Sequence, residues 1–263
     1  MPTSDSVLHR RPALLVALAL SLAVALTGCS STADPAPAAF DALVFSKTEG
    51  FRHASIPDGI AALRELGAEH GFSVTATEDA SAFTPDGLRA YDVIVFLNTT
   101  GDVLNTAQQA ALQQYIRGGG GFVGVHAATD TEYDWPWYNR LVGAYFDGHP
   151  SVQEASITVV DTAHASTRML PQPWVRRDEW YSFRSVQDGL NILLNLDEDS
   201  YDLEGAPAMG DQHPVAWYRA FEGGRSWYTE LGHTKEAYRE PLFREHLLGG
   251  IQWAARVTPT ASH

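Results

Sequence analysis

The chain has 263 residues and a formal net charge of −14, from 18 basic and 32 acidic side chains, and it contains one cysteine. Its 7 Trp, 10 Tyr and 11 Phe can build a substantial core, which excludes a disordered chain and a disulfide-stapled mini-domain. An acidic protein without a run of Lys and Arg repels phosphate backbones, so nucleic acid is excluded as an expected partner.

The first 28 residues have the features of an export signal. Basic residues at 9–11 precede an apolar run, 13–26, that leads into the sequence Leu-Thr-Gly-Cys29. The apolar run is too short to cross a bilayer, which takes about 20 residues. This pattern resembles a bacterial lipoprotein signal. It predicts cleavage before a lipidated Cys29, a flexible tether over 29–39, and a lipid anchor on the extracytoplasmic side of the cell membrane.

From residue 40 onward, apolar runs of strand length alternate with segments of helical periodicity. The pattern predicts strands at 41–46, 72–77, 91–97 and 121–126, and helices at 55–70 and 105–117. Ser55 with Asp58, and Asn105 with Gln108, have the spacing of capping boxes at the two helix starts. Strands buried on both faces and separated by helices indicate a parallel sheet with right-handed crossovers.

The pattern becomes richer in strands after His149. Further strands are predicted at 155–160, 191–196, 215–221 and 225–231, followed by a closing helix at 241–256. We therefore predict one α/β domain over 40–256, with a β-rich C-terminal extension and a short tail at 257–263.

Three histidines follow predicted strands, where open α/β sheets bind their ligands. His126 comes directly after the fourth strand, His53 lies in the loop after the first strand, and His233 follows the last strand. An imidazole can move a proton near neutral pH, or bind a metal ion while it is neutral. We predict all three as catalytic residues, with His126 at the centre. The alternative is that each ring only forms hydrogen bonds with neighbouring loops.

The segment Asp178-Glu-Trp-Tyr181 places a carboxylate beside aromatic rings, a combination that suits a sugar. Glu179 is predicted as the carboxylate partner of His126. Residues predicted to bind substrate are Arg52, Asn98, Asp130, Trp135 and Tyr181. The alternative for the tryptophans Trp137 and Trp180 is that they are core residues.

A metal site is left open by the sequence. There is no His-x-His, no His-Glu-x-x-His, and no cysteine after Cys29. A divalent ion bound by side chains from distant loops would draw on four candidate ligands, which are His53, His126, His149 and His233.

Five motifs together resemble the trehalose-utilisation (ThuA-like) family. They are Gly-Phe-Arg-His53-x-Ser-Ile, Gly-Gly-Gly-Phe-Val-Gly-Val-His126, Asp-Glu-x-Tyr181, His-Pro-Val-Ala-Trp217 and Gly-Arg-Ser-Trp-Tyr-Thr-Glu-Leu-Gly-His233. The resemblance implies a three-layer, flavodoxin-like α/β fold of the class I glutamine-amidotransferase type, and a link to carbohydrate catabolism. In amidotransferase relatives a cysteine nucleophile occupies the turn where this chain has His126, so Cys-dependent amide hydrolysis is excluded.

The resulting hypothesis is a surface-anchored enzyme that acts on a sugar or keto-sugar by His and carboxylate acid-base chemistry, either alone or assisted by a metal. A small carbohydrate is the expected partner, and the oligomeric state is not indicated. The first alternative is a non-catalytic lipoprotein that binds carbohydrate. The second is a scaffold module in a surface assembly.

Overall fold

A computed structural model describes residues 39–257. The predicted signal peptide, the lipidation site Cys29 and nearly all of the predicted tether and tail lie outside these residues. Within 39–257, no helix is both long enough and apolar enough to span a membrane.

The elements alternate as predicted in the first half and are mostly strands in the second half. The strands are β1 (Asp41–Phe45), β2 (Ser73–Thr77), β3 (Val93–Leu97), β4 (Gly121–Val125), β5 (Tyr145–Gly148), β6 (Gln153–Val159), β7 (Trp174–Asp178), β8 (Ser182–Arg184), β9 (Asn191–Leu196), β10 (Pro214–Phe221) and β11 (Gly224–Thr229). The helices are α1 (Ile56–His70), α2 (Pro85–Leu88), α3 (Thr106–Arg117), α4 (Pro136–Val142) and α5 (Pro241–Ala254).

One mixed sheet organises the molecule, in the strand order β2-β1-β3-β4-β11-β10-β9-β6-β7. The neighbours from β2 to β11 are parallel, whereas the pairs from β11 to β7 are antiparallel. Strands β5 and β8 form a separate antiparallel pair. The predicted α/β class with a β-rich C-terminal part is confirmed.

Helices cover both faces of the sheet, which explains why its strands are apolar on both sides. Alternate residues of β1 enter different cores: Val44 packs in one cluster with residues of α1 and α5, and Phe45 packs in the other with residues of α3 and α4. Because every central strand is buried on both faces, chemically active side chains are left to the strand ends.

The two predicted helix caps have different outcomes. The capping box of Asn105 and Gln108 is confirmed, with Asn105 Oδ1 accepting from the Gln108 backbone N–H at 3.0 Å. Ser55 lies at the N-cap of α1, but the capping prediction is wrong because its side chain forms no cap hydrogen bond. Its hydroxyl is buried and donates instead to the Gly232 carbonyl at 3.3 Å, which joins the start of α1 to the loop after β11.

Candidate functional site

Three histidines lie together at one edge of the parallel part of the sheet. His126 directly follows β4, His233 follows β11, and His53 lies between β1 and α1. Since β1, β4 and β11 run in the same direction, their carboxyl ends meet at this edge. Glu179 arrives from the antiparallel part, directly after β7.

The four side chains form one compact cluster, which we call the His/Glu cluster (His53, His126, Glu179 and His233). One nitrogen or oxygen atom from each lies within 4.8 Å of those of the other three. His126 Nε2 lies 3.2 Å from His233 Nδ1 and 3.4 Å from Glu179 Oε2. His233 Nδ1 lies 2.9 Å from that same carboxylate oxygen. The structure therefore brings together all four residues that were predicted as catalytic.

His126 is completely buried and has a positive φ of 50°, in the left-handed region that non-glycine residues seldom occupy. Its Nδ1 lies 2.6 Å from the backbone carbonyl oxygen of Glu230. Because a carbonyl oxygen can only accept, Nδ1 carries a proton, and in the neutral ring Nε2 presents a lone pair to the cluster. The Tyr181 hydroxyl donates to this lone pair across 2.9 Å.

His53 is buried but makes fewer polar contacts. Its ring stands nearly perpendicular to those of His126 and His233, with centroids 4.8 Å and 5.2 Å away. Its Nδ1 is buried and has no hydrogen-bond partner. Burial, together with the positive charge of the neighbouring histidines, lowers the pKa of His53 to about 3, so this ring is neutral at physiological pH.

His233 and Glu179 form the paired half of the cluster. Burial alone would raise the pKa of Glu179, but hydrogen bonds and charge from His126 and His233 outweigh it and lower that pKa. Burial would lower the pKa of His233, but the adjacent Glu179 carboxylate raises it overall. The pKa values of two imidazoles in one cluster, His53 and His233, are therefore shifted in opposite directions, which is typical of acid-base sites.

Asp178 determines where Glu179 and His233 lie. Its completely buried carboxylate accepts backbone N–H bonds from Glu179 at 3.1 Å, Gly232 at 3.0 Å and His233 at 3.1 Å. The Arg176 guanidinium donates a fourth bond at 3.0 Å. This carboxylate joins the turn after β7 to the turn after β11, and so brings together groups from the two parts of the sheet.

Two further side chains lie at the solvent-facing rim. His149 Nδ1 lies 3.2 Å from Glu179 Oε1, and the His149 side chain is 40% exposed. Phe51 is 66% exposed, and its ring centroid lies 4.9 Å from that of His53. Phe51 was not among the predicted site residues. The available signal was an aromatic residue next to Arg52 and His53 in a loop at a strand end.

Among the residues predicted to bind substrate, Tyr181 contacts the cluster through His126, whereas Arg52 and Asn98 have other partners. Arg52 forms an exposed two-bond pair with Glu78, at 2.6 and 3.1 Å. Asn98 is completely buried, and its side-chain amide donates to the Ser55 hydroxyl at 3.1 Å. The structure thus gives Asn98 a structural role and provides no support for a contact between Asn98 and a substrate.

The other two predicted substrate contacts, Asp130 and Trp135, each have an aromatic neighbour. Asp130 accepts from the Tyr133 hydroxyl at 2.6 Å, and burial raises the pKa of Asp130. Trp135 stacks on Trp137, with ring centroids 4.9 Å apart. Trp137 and Trp180 are both buried, as the alternative reading of these tryptophans predicted.

Comparison with known proteins assigns the family. The family model for ThuA, described as trehalose utilisation, matches residues 41–254. The chain belongs to the ThuA family. This confirms the resemblance and supports a role related to carbohydrate. A sequence search of curated proteins found no match.

Solved structures of other family members have the same fold. A ThuA-like protein from Bacteroides uniformis aligns with a TM-score of 0.72 at 25% identity, over 85% of this chain and 94% of that one. A ThuA-like protein from Parabacteroides merdae aligns with a TM-score of 0.70 at 22% identity, over 86% and 93%. A β-galactosidase from Bacillus circulans aligns at 0.54 and 10% identity over 83% of this chain but 31% of its own length, which shows a similar fold only.

Proposed function

We propose that this ThuA protein is a carbohydrate-processing enzyme that acts on a sugar or keto-sugar at the His/Glu cluster. The observation that carries the proposal is that the cluster has two halves, one imidazole with a ring nitrogen directed at its neighbours and a second imidazole paired with a carboxylate. His126 has Nδ1 held by a backbone carbonyl and Nε2 directed into the cluster, while His233 Nδ1 lies 2.9 Å from the Glu179 carboxylate. The family description supports carbohydrate as the class of substrate.

The two halves supply the two proton movements that sugar chemistry requires. His126 Nε2 accepts a proton from a hydroxyl, or from a carbon next to a keto group. His233 has a raised pKa beside Glu179 and donates a proton to the oxygen that develops negative charge. The Tyr181 hydroxyl, 2.9 Å from His126 Nε2, lies where it can hold a substrate oxygen beside the base.

The two side chains at the rim, Phe51 and His149, also support binding of a sugar. Phe51 offers an exposed aromatic face, on which the C–H face of a sugar ring can stack. His149, at the same rim, offers a polar contact for hydroxyl groups. An apolar face beside a few converging polar groups is the usual composition of a site that binds a small ligand.

The proposal includes a lipid anchor at Cys29, because the sequence resembles a lipoprotein signal. Expression of the full chain in a bacterial host, followed by separation of membranes, tests this point. Wild-type protein and the control Ser30→Ala should stay with the membranes, whereas Cys29→Ala should lose the lipid. Lipid attachment is followed by metabolic labelling with a fatty acid. Equal labelling of the wild-type protein and Cys29→Ala would contradict the anchor.

Turnover of defined sugars tests the enzyme proposal. Purified full-length protein is incubated with trehalose, other disaccharides and their 3-keto forms, and products are followed by NMR. We expect the wild-type protein to convert at least one of these sugars. His126→Asn should reduce turnover by about 10²- to 10⁴-fold. The exposed helix residue His70 provides the control variant His70→Asn, which should turn over like the wild type.

The same experiment separates the enzyme from its main alternative. Saturable binding of a sugar without any product would replace the enzyme proposal with a non-catalytic carbohydrate-binding protein. Turnover that is unchanged in His126→Asn would contradict the assignment of the site, whichever sugar is converted.

A further inference from the structure

We infer that the His/Glu cluster binds one divalent transition-metal ion of the zinc type. His53, His126, His233 and Glu179 would be its ligands. The inference rests on the proposed function for the sugar that the ion would act on, and with an ion bound His126 and His233 would hold the ion instead of moving protons. Metal binding itself can be measured without any sugar.

The donor atoms favour this class of ion. Three imidazole nitrogens and one carboxylate oxygen are typical ligands of zinc and its first-row neighbours, whereas calcium and magnesium prefer all-oxygen sites. In the described part of the chain, one such donor from each of the four residues falls within 4.8 Å of the others.

The distances between the donor atoms are also close to those of a zinc site. Ligands placed tetrahedrally at about 2.0–2.2 Å from zinc lie roughly 3.3–3.6 Å apart. Within the cluster, the three distances that join His126 Nε2, His233 Nδ1 and Glu179 Oε2 are 2.9, 3.2 and 3.4 Å. The donor of His53 lies within 4.8 Å of these three atoms, which makes the set slightly wider on that side.

His126 is held as metal-binding histidines usually are. Such a histidine typically donates its other ring N–H to a carbonyl or carboxylate, which fixes both the tautomer and the ring orientation. Here the Nδ1–H of His126 donates to the backbone carbonyl of Glu230 at 2.6 Å, and Nε2 faces the cluster.

The unpaired ring nitrogen of His53 is an independent observation in favour of a metal ion. Its Nδ1 is buried without a hydrogen-bond partner, although buried polar atoms are almost always paired. The ring stands within 5.2 Å of the rings of His126 and His233, centroid to centroid, without a hydrogen bond to either. A shared ion explains why three imidazoles and a carboxylate converge while one ring lacks polar partners.

His149 does not belong to the ligand set that the structure supports, although the sequence made it a candidate. Its Nδ1 contacts Glu179 Oε1, whereas Oε2 is the oxygen that faces His126 and His233. His149 Nδ1 also lies 2.9 Å from the Pro150 carbonyl oxygen, which holds the ring at the rim beside the carboxylate, and Glu179 takes the fourth ligand position. The Tyr181 hydroxyl contacts the same lone pair of His126 but has no place among the ligands.

A bound ion would supply Lewis-acid chemistry at the cluster. It would polarise a sugar oxygen and neutralise the charge that develops there. Tyr181 and His149, at the margin of the cluster, would then be the side chains free to hold or pass a proton.

Metal titration of the purified full-length protein tests the inference. The protein is stripped with a chelator and then titrated with Zn²⁺ or Co²⁺. Bound metal is measured by mass spectrometry, the Co²⁺ site by visible absorption, and folding by circular dichroism. We expect about one ion per chain, nitrogen-rich Co²⁺ bands, and a melting temperature that rises with added Zn²⁺.

Variants distinguish ligands from supporting residues. Glu179→Gln and His233→Ala should lose more than about 100-fold in affinity, beyond what loss of a supporting residue usually costs. His149→Ala should keep one ion per chain with affinity weakened by roughly tenfold. Tyr181→Phe and the control His70→Asn should bind as the wild type does. Glu179→Gln conserves size, and the His233 side chain is 24% exposed, so both are expected to fold.

Two results would overturn the inference. One is a folded wild-type protein that binds less than about a tenth of an ion per chain at saturating Zn²⁺. The other is a folded Glu179→Gln that binds like the wild type. Failure of the proposed function looks different, because a protein that binds the ion but converts none of the tested sugars keeps the metal site and loses the enzyme assignment.

Discussion

Two completely buried histidines, His246 and His126, differ in how their ring nitrogens are used. His246 Nδ1 pairs with the Ser166 carbonyl at 2.8 Å, and its Nε2 pairs with the Thr229 hydroxyl at 3.1 Å. His126 has one nitrogen fixed on a backbone carbonyl, and the other faces a tyrosine, a histidine and a carboxylate. Burial alone therefore does not distinguish a structural histidine from a functional one; the second nitrogen does.

His213 resembles His246 in this respect. Its Nδ1 pairs with Glu198 at 2.8 Å, and its Nε2 pairs with the Tyr181 carbonyl at 2.8 Å. Both nitrogens hold backbone or side chains in place, so His213 acts on the site through the position of Tyr181. The distinction between the two kinds of histidine can be tested by substitution.

The largest expected effect is on turnover. His126→Asn should lower kcat by about 10²- to 10⁴-fold, because it removes the imidazole that faces the cluster. Asparagine tolerates the positive φ at this position, so the backbone should be retained. His246→Asn should keep kcat per folded molecule, as measured by the sugar assay with folded protein quantified. Equal losses in both variants would remove the distinction.

The next largest effect is on stability, and here substitution of His246 should cost more than substitution of His126. His246→Ala should lower the free energy of unfolding by about 2–4 kcal/mol, because it leaves a cavity and unpaired partners in the core. His126→Asn should cost about 1 kcal/mol, since a polar side chain remains there. Urea unfolding measures both. A greater loss of stability in His126→Asn than in His246→Ala would contradict the assignment of His246 as structural.

Stability should also depend on pH through two buried groups, His246 and Glu230, and in opposite directions. Burial lowers the pKa of His246 from 6.5 to about 3, so the unfolded chain takes up a proton first. The stability that its neutral ring contributes is therefore present above pH 6.5 and is lost as the pH falls toward 3, by up to about 1.4 kcal/mol per pH unit. Unfolding of the wild type and His246→Asn from pH 7 to 4 should show the difference shrinking at low pH.

The carboxyl group of Glu230 should behave in the reverse way. Burial raises its pKa well above 4.5, so its contribution to stability is present below pH 4.5 and is lost as the pH rises. Glu230→Gln, which stays neutral, should therefore gain stability relative to the wild type with increasing pH. A stability difference between the two proteins that stays constant from pH 4 to 8 would contradict the raised pKa.

The smallest effect is expected at the rim. Phe51→Ala should raise KM by roughly 2- to 10-fold, the equivalent of about 0.5–1.5 kcal/mol of stacking, without changing stability. Val175, which is 52% exposed on β7, provides the control Val175→Ala. An unchanged KM in Phe51→Ala would remove Phe51 from the site and leave the cluster intact.

The parallel part of the sheet could be predicted because its signals are local. Apolar runs such as 121–125 are buried on both faces, and the residue after each strand must reach the ligand-binding edge. This is why the positions of His53, His126 and His233 followed from the sequence.

The antiparallel part could not be predicted with the same detail. Strand β7, Trp174–Asp178, carries two arginines and alternates between buried and exposed residues, so no apolar run marks it. Glu179 was predicted from its aromatic neighbours, but the hydrogen bonds of Asp178 to a distant turn, which bring Glu179 to the cluster, leave no local pattern. Ser55 and Asn98 had local signals for a cap and a substrate contact, but tertiary hydrogen bonds use both side chains in other ways.

Long-range ¹H–¹⁵N correlation NMR of histidine-labelled protein, recorded before and after Zn²⁺ is added, tests the account most directly. We predict that His126 has its proton on Nδ1, and that Zn²⁺ shifts a ring nitrogen of His53, His126 and His233 while the His246 signals stay unchanged. A protonated Nε2 on His126, or Zn²⁺ shifts that include His246 and omit the three cluster histidines, would contradict it.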